Sequence, residues 1–164
     1  MDLISWRPEY QVGVRLIDTE HKYLFALINE FHAKHARGNA LKQCVLVLNR
    51  LVAYAEEHFQ HEEALMQTIN YPRLQDQKGM HKQLYTSIFE LNEKLSIEGA
   101  LVDADTLRFL KHWIIEHIVK EDTRIGDFLR SKAAQSGRSV DEEAGDTSVE
   151  TSAPKAGATE PKRG

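Results

Sequence analysis

The chain has 164 residues, with 21 basic and 25 acidic side chains, so its formal net charge of −4 gives no electrostatic case for binding nucleic acid. This length allows one stable domain, and the single cysteine excludes an internal disulfide framework and any cysteine-based metal cluster held by this chain alone. Because no apolar run approaches the ~20 residues of a membrane span and the first residues lack a secretory pattern, we expect a soluble, cytoplasmic protein without membrane contact.

The first two predicted helices are amphipathic. The first begins at Asp18 or Thr19, either of which can cap it, and ends at Gly38. The second extends from about residue 39 to 68, and the Asn-Tyr-Pro sequence at 70–72 breaks it. Their apolar residues recur at helical spacing, as Leu24, Leu27, Ile28 and Phe31 in the first helix and Leu41, Val45, Leu48, Leu51, Val52 and Ala55 in the second.

Two further helices complete the set. The third extends from about residue 73 to 97, and the fourth begins after Asp103 or Asp105 and is followed by a short helical end at 124–130. Their apolar residues are Leu74, Leu84, Ile88, Leu91 and Leu95, then Leu107, Leu110, Trp113, Ile114 and Ile118. Because no segment alternates with period two, we predict an all-α fold, an up-down-up-down four-helix bundle with an N-terminal arm.

The chain divides near residue 130. Residues 131–164 contain no aromatic residue, no Leu and no Ile, and such a segment cannot bury enough apolar surface to offset its conformational entropy. We therefore expect a folded bundle over residues 1–130 and a disordered tail over 131–164, which could tether an unknown protein partner. The protein is expected to be a monomer, with Trp6 and Tyr10 packing across the bundle and Cys44 packing in its core.

Each helix also carries polar residues where its apolar stripe predicts burial. These are His21 on the first helix, His58 and Glu62 on the second, Gln77 and His81 on the third, and His117 and Asp122 on the fourth. Residues four apart share a helix face, whereas His117 and Asp122 are five apart and converge only where the helix ends or bends. Since burying such groups unpaired costs several kcal/mol and no Lys or Arg lies on these positions, we expect a metal ion between them.

The donor types narrow the choice of metal. Imidazoles and carboxylates without a thiolate suit iron, manganese, zinc or copper. Four histidines and two carboxylates exceed the needs of one tetrahedral zinc, and carboxylates from different helices can bridge two ions, so we expect a dinuclear site, for which iron is the common choice in bundles. A ferritin-like site is excluded, because no Glu of the chain is followed by His three residues later.

A series of motifs follows the same order along the four predicted helices. They are Val12-Gly13-Val14, Ile17-Asp18 with His21-Lys22, His58-Phe59 with Glu62-Glu63 and Met66, Tyr71-Pro72 with His81, and Trp113 with His117-Ile118 and Asp122. Over residues 5–130 the chain resembles the bacterial hemerythrins, a family of four-helix bundles with a non-haem di-iron centre that binds O₂ reversibly.

The resemblance implies two iron ions bridged by Glu62 and Asp122. One iron would be held by His21 and His58 and would keep an open position for O₂, and the other would be held by His81, His117 and a further ligand. An apolar pocket around the open position is implied, lined by Leu24, Phe59, Met66, Trp113 and Ile114. Such a dry pocket slows proton delivery and the loss of reduced oxygen species, so that binding stays reversible.

The sequence departs from the family at one ligand. The family's third histidine of the second iron lies four residues before His81, where this chain has Gln77. An amide oxygen is a weaker ligand than an imidazole, so three arrangements are open: Gln77 ligates iron through its oxygen, a water replaces it, or that iron has an open position. The residues expected to lie outside the centre are His32, His35, His61, His112 and Glu63, and Glu63 is expected to be solvated.

Three functions compete for such a site. The first is an O₂ carrier or store. The second is an O₂ or redox sensor that signals through a partner, and the third is an oxidase, peroxidase or NO-handling enzyme that uses the altered Gln77 position. Because no output domain and no acid–base pair near the site are found in the sequence, we expect a non-enzymatic O₂-binding protein.

Overall fold

The computed structural model describes residues 2–38 and 40–137, and within these ranges the chain contains helices but no strand. The elements are a 3-10 helix over Pro8–Tyr10, α1 over Arg15–Ala36, α2 over Leu41–Thr68, α3 over Leu74–Ser96, α4 over Ala104–His117, a π-helical segment over Ile118–Asp122, and α5 over Thr123–Ser136. The last three follow one another without a break and form the fourth helix of the bundle. The predicted four-helix bundle is thereby confirmed.

The predicted apolar stripes meet in the interior. Leu24, Leu48, Ile88 and Leu110, one from each of the four helices, are completely buried. They belong to a main core, while a smaller end core gathers other residues: Val12, Val14, Ile17, Leu65, Met66, Ile69, Tyr71, Ile125 and Leu129. Neither core includes a residue between Ile17 and Leu24 of α1 or between Phe59 and Leu65 of α2. The polar positions of these two helices therefore lie between the two cores.

The helix starts differ from the prediction at one point. The α1 helix begins at Arg15, with Val14 at the N-cap position and no side-chain cap. Asp18 instead turns back to the preceding loop, where its carboxylate accepts hydrogen bonds from the backbone N–H groups of Val12 at 2.7 Å and Gly13 at 3.0 Å. The prediction that Asp18 or Thr19 caps α1 is therefore wrong. The helix begins before both residues, and the Asp18 carboxylate binds the backbone of the N-terminal arm instead. The α4 helix begins after Asp103, one of the two predicted starts, and Asp103 caps it by accepting from the backbone N–H of Thr106 at 2.8 Å.

The N-terminal arm packs on the first and last helices. Trp6 and Tyr10 contact the ring of Phe25, with centroid distances of 5.6 and 5.7 Å, as expected. On α5, Arg130 donates to the carbonyl oxygen of Val12 at 3.1 Å. Gly126 makes this approach possible, because a Cβ at that position would overlap the Val12 carbonyl.

The end of the fourth helix lies further along the chain than expected. The short helical end predicted at 124–130 is part of α5, which continues to Ser136, and Ala133 on this extension is buried. Residues 131–136 are therefore helical. The remainder of the predicted tail, from residue 138 onward, lies outside the described residues, as does Asn39. None of the helices in the described ranges combines the length and apolar character that crossing a membrane demands.

Candidate metal centre

The bundle brings six of the predicted metal ligands into one buried cluster. His21, Glu62 and Asp122 are completely buried, and His58, His81 and His117 are at most 6% exposed. Their donor atoms form two overlapping groups, His21, His58, Glu62 and Asp122 in one, and Glu62, His81, His117 and Asp122 in the other. We call these groups the first half and the second half of the centre. The two carboxylates belong to both.

Glu62 divides its two oxygens between the halves. Its Oε1 lies 3.4 Å from Nε2 of His21 and 3.5 Å from Nε2 of His58, in the first half. Its Oε2 lies 3.2 Å from Nε2 of His81, in the second half. A carboxylate in this position can give one oxygen to each of two ions.

Asp122 is divided in the same way. Its Oδ2 lies 3.3 Å from Nε2 of His21, and its Oδ1 lies 3.1 Å from Nε2 of His117. The π-helical segment over Ile118–Asp122 explains how residues five apart reach one another. A π turn closes i to i+5 and is wider than an α turn, so it returns Asp122 to the helix face of His117. The bend that the sequence requires here is thus supplied by a change of helix type.

Most of the donor atoms lack hydrogen-bond partners; Nε2 of His81 and Nε2 of His117 lie 3.1 Å from each other. In the described chain, the ion-pair contacts of Glu62 and Asp122 are with histidines rather than Lys or Arg. All four carboxylate oxygens, and Nε2 of His21 and His58, are buried without a hydrogen bond. Buried carboxylates of this kind are paired or coordinate metals, and imidazole with carboxylate suits iron. The residues therefore fit a pair of metal ions.

The pKa values of His21 and Glu62 are also consistent with a site that favours positive charge. Burial acts to lower the pKa of His21, but the polar contacts and charges of Asp122 and Glu62 outweigh it and raise this pKa to about 9. The pKa of Glu62 is held well below its ordinary value, because the charges of His58 and His21 and the contacts with His21 and His81 overcome its burial. Both shifts have the same cause, the pairing of buried histidines with buried carboxylates.

Two further carboxylates orient the histidines, and sequence analysis missed both. Glu20 contacts Nδ1 of His58 at 2.9 Å and Nδ1 of His61 at 2.5 Å. Glu63 contacts Nδ1 of His81 at 3.0 Å, so the expectation that Glu63 is merely solvated is wrong. Such outer partners fix the orientation of a ligating imidazole and raise its basicity.

The pattern of α1 carries a signal for Glu20, but α2 carries none for Glu63. Glu20 extends the stripe of Leu24, Leu27 and Phe31 backward by one turn, so its burial follows from the spacing. Glu63 lies at the edge of the buried face of α2, where its contact with His81 of α3 depends on how the two helices pack.

The structure separates the predicted pocket residues. Leu24, Phe59, Trp113 and Ile114 belong to the main core, whereas Met66 belongs to the end core. The Phe59 ring stacks on the His81 ring, with centroids 4.3 Å apart and planes at 14°. Phe59 therefore covers the second half as well as adjoining His58, and Met66 packs in a different core from the other four.

The other histidines fall into exposed or supporting positions. His61 contacts Glu20 and is partly exposed, and His112 is largely exposed. His32 and His35 are half-buried near the end of α1. None of the four belongs to the two donor groups found in the described residues. Cys44 is buried in the main core, as expected.

Gln77 lies one turn before His81 on α3. Its side chain is buried, and both amide atoms, Oε1 and Nε2, have no hydrogen-bond partner. Because residues four apart share a helix face, Gln77 lies on the same face of α3 as His81 of the second half.

Four helices surround two groups of buried histidines that share two carboxylates. This arrangement is typical of four-helix-bundle proteins that bind two metal ions. Comparison with known proteins identifies the family within this class. The sequence profile of the Hemerythrin HHE cation binding domain matches residues 12–129. The chain belongs to the hemerythrin family, as the motifs predict.

Curated and solved relatives agree with this assignment. A bacteriohemerythrin of Methylococcus capsulatus is 32% identical over 130 residues, which are 79% of this chain and 98% of that protein. A bacteriohemerythrin of Stenotrophomonas maltophilia is 26% identical over 84% of this chain and 89% of that protein. A solved structure of wild-type hemerythrin has a TM-score of 0.71 and 32% identity, covering 76% of this chain and 96% of that one.

Membership of the family settles the broad chemistry. Hemerythrins are non-haem di-iron proteins that bind O₂, and the buried His, Glu and Asp groups of this chain are able to hold the metal. The predicted di-iron cofactor is confirmed, and the family consists of oxygen binders rather than enzymes, in agreement with the prediction.

Proposed function

We propose that this protein is a cytoplasmic oxygen carrier or store. In it, His21 and His58 hold one iron with an open position for O₂, and His81 and His117 hold the other. Glu62 and Asp122 bridge the two. The observation that carries the proposal is the division of both carboxylates between the two halves, with separate oxygens of Glu62 and of Asp122 directed at different histidines.

The chain's own residues support reversible binding in three ways. The two bridging carboxylates neutralise cationic charge in a completely buried place. Glu20 fixes the ring of His58 through Nδ1 and leaves Nε2 directed at the centre. The side chains of Leu24 and Ile114 are almost fully buried and exclude water from the core around them. When bound, the two irons supply the electrons that O₂ binding requires.

The test is reconstitution followed by oxygen cycling. The protein is loaded anaerobically with Fe(II), its iron is counted, and its absorption spectrum is followed through repeated exposure to O₂ and vacuum. We expect about two irons per chain and a spectrum that returns in each cycle. Fewer than about 1.5 irons per chain would contradict the dinuclear site. Irreversible oxidation in the first cycle would contradict a carrier.

Turnover distinguishes the carrier from an enzyme. We expect peroxide or NO to be consumed no faster than by the same amount of free iron. Consumption well above that rate would contradict the proposal and would favour an enzymatic role for the centre.

A further inference from the structure

Gln77 is a buried amide without partners. It is 1% exposed, and neither Oε1 nor Nε2 makes a hydrogen bond. An amide side chain offers one acceptor oxygen and two N–H donors. Leaving such groups unpaired in the interior is unfavourable, so the position favours a polar group supplied from outside the chain.

The two halves present equal sets of donors to their ions. Each set comprises two histidine nitrogens, one oxygen of Glu62 and one oxygen of Asp122. Non-haem iron bound by so few protein ligands has positions left for exogenous ligands. Since the donor sets match, an ion at His81 and His117 has as many coordination positions left for such a ligand as an ion at His21 and His58.

Direct ligation of the ion by Gln77 would give a partner to only one of the unpaired atoms of its amide. If Oε1 coordinated the ion, both N–H donors of the amide would stay unpaired in a buried place. A small anion on the ion gives these donors an acceptor, and a hydrogen bond to a charged acceptor is stronger than one between neutral groups.

The second half lies beside a surface groove. A solvent-accessible groove of about 520 Å³ lies along α3 and the fourth helix, and His117 forms part of its wall. Its lining includes the apolar Leu84, Phe109 and Trp113. It also includes Lys120, which is ion-paired with Glu116, and Glu121. A small anion can therefore approach the His117 side of the centre without passing through the main core.

We propose that the second half binds its own small exogenous anion, coordinated to the ion between His81 and His117 and hydrogen-bonded by the amide of Gln77. This inference rests on the proposed di-iron function. The centre then takes one small ligand at each ion.

The experiment counts azide on the ferric di-iron protein by equilibrium dialysis. Iron is counted first, so that a failure of the di-iron proposal, seen as fewer than about 1.5 irons per chain, is separate from a failure of this inference. We expect two azides per di-iron centre in the wild type and one in Gln77→His, whose imidazole fills the second position. The exposed Gln75 lies on the same helix, and Gln75→His is the matched control, expected to bind two.

A second variant separates coordination from hydrogen bonding. Gln77→Leu keeps the position open but removes the amide, so we expect two azides with the second bound about tenfold more weakly. One azide in both wild type and Gln77→His, at full iron content, would overturn the inference. Two azides in both, or unchanged affinity in Gln77→Leu, would overturn it equally. Circular dichroism of each variant verifies that it is folded.

Discussion

The two halves of the metal centre have matching donors but different surroundings. In the first half, the side chains of His21 and His58 are completely buried, and Glu20 behind His58 is only 6% exposed. In the second half, Glu63 behind His81 is 27% exposed, and solvent-accessible grooves reach both His81 and His117. A donor set therefore does not determine ligand exchange by itself, because access and the outer partners differ.

The largest effect on iron binding is expected from replacing a carboxylate that belongs to both halves. Glu62→Gln replaces a bridging carboxylate by a neutral amide that cannot supply an anionic oxygen to each ion, so we expect iron to fall from about two to below one per chain. The measurement is iron content after anaerobic loading and gel filtration. Glu57→Gln, an exposed position on the same helix, is the control and should retain its iron. A Glu62→Gln variant with full iron would refute the bridged arrangement.

Replacing the carboxylates behind His58 and His81 should lower metal affinity to different extents in the two halves. Glu20→Gln and Glu63→Gln each remove a charged partner of a ligating histidine, and such changes cost about 10–100-fold in metal affinity. We expect Glu20→Gln to have the larger effect, because Glu20 is almost fully buried whereas solvent screens Glu63. Competition between the protein and a chelator for Co(II) measures this. Equal losses in the two variants would show that the halves do not differ in this respect.

An imidazole at residue 77 would give the second half one more donor than the first and would reduce the access of water and anions to it. In Gln77→His, we expect the oxygenated protein to decay to the ferric form several-fold more slowly, because an imidazole displaces water and anions from the second half. The decay of the absorption spectrum in air gives the rate, with Gln75→His as control. An unchanged or faster decay would contradict this expectation.

The smallest expected effect is a change in proton release. The pKa of His21 is raised to about 9 in the first half, so between its ordinary value of 6.5 and that pH the metal-free protein carries a proton that metal must displace. Release on Co(II) binding should fall by about one proton per chain as the pH rises through 9, because His21 is then already neutral. Calorimetry in buffers of different ionisation enthalpy measures it. Constant release from pH 7 to pH 10 would argue against a shared proton on His21.

The positions of the ligands along each helix were open to prediction from local spacing. His58 and Glu62 are four residues apart, and His21 continues the stripe of Leu24 and Ile28, so helical geometry alone directs them inward. From the sequence, His117 and Asp122 could be expected to converge only if the helix ends or bends between them. That the condition is met by a π turn, and not by the end of the helix, is a property of the folded chain.

The sequence by itself determined the four helices, their buried faces and the residue types collected between the two cores, because helix formation and amphipathic spacing are local. Only the tertiary structure decided how each carboxylate divides its oxygens, that Glu20 reaches His58 and Glu63 reaches His81, and that Phe59 covers His81 while Met66 packs in the end core. These contacts join residues of different helices. Their geometry depends on the rotation and spacing of whole helices against one another, which no local pattern specifies.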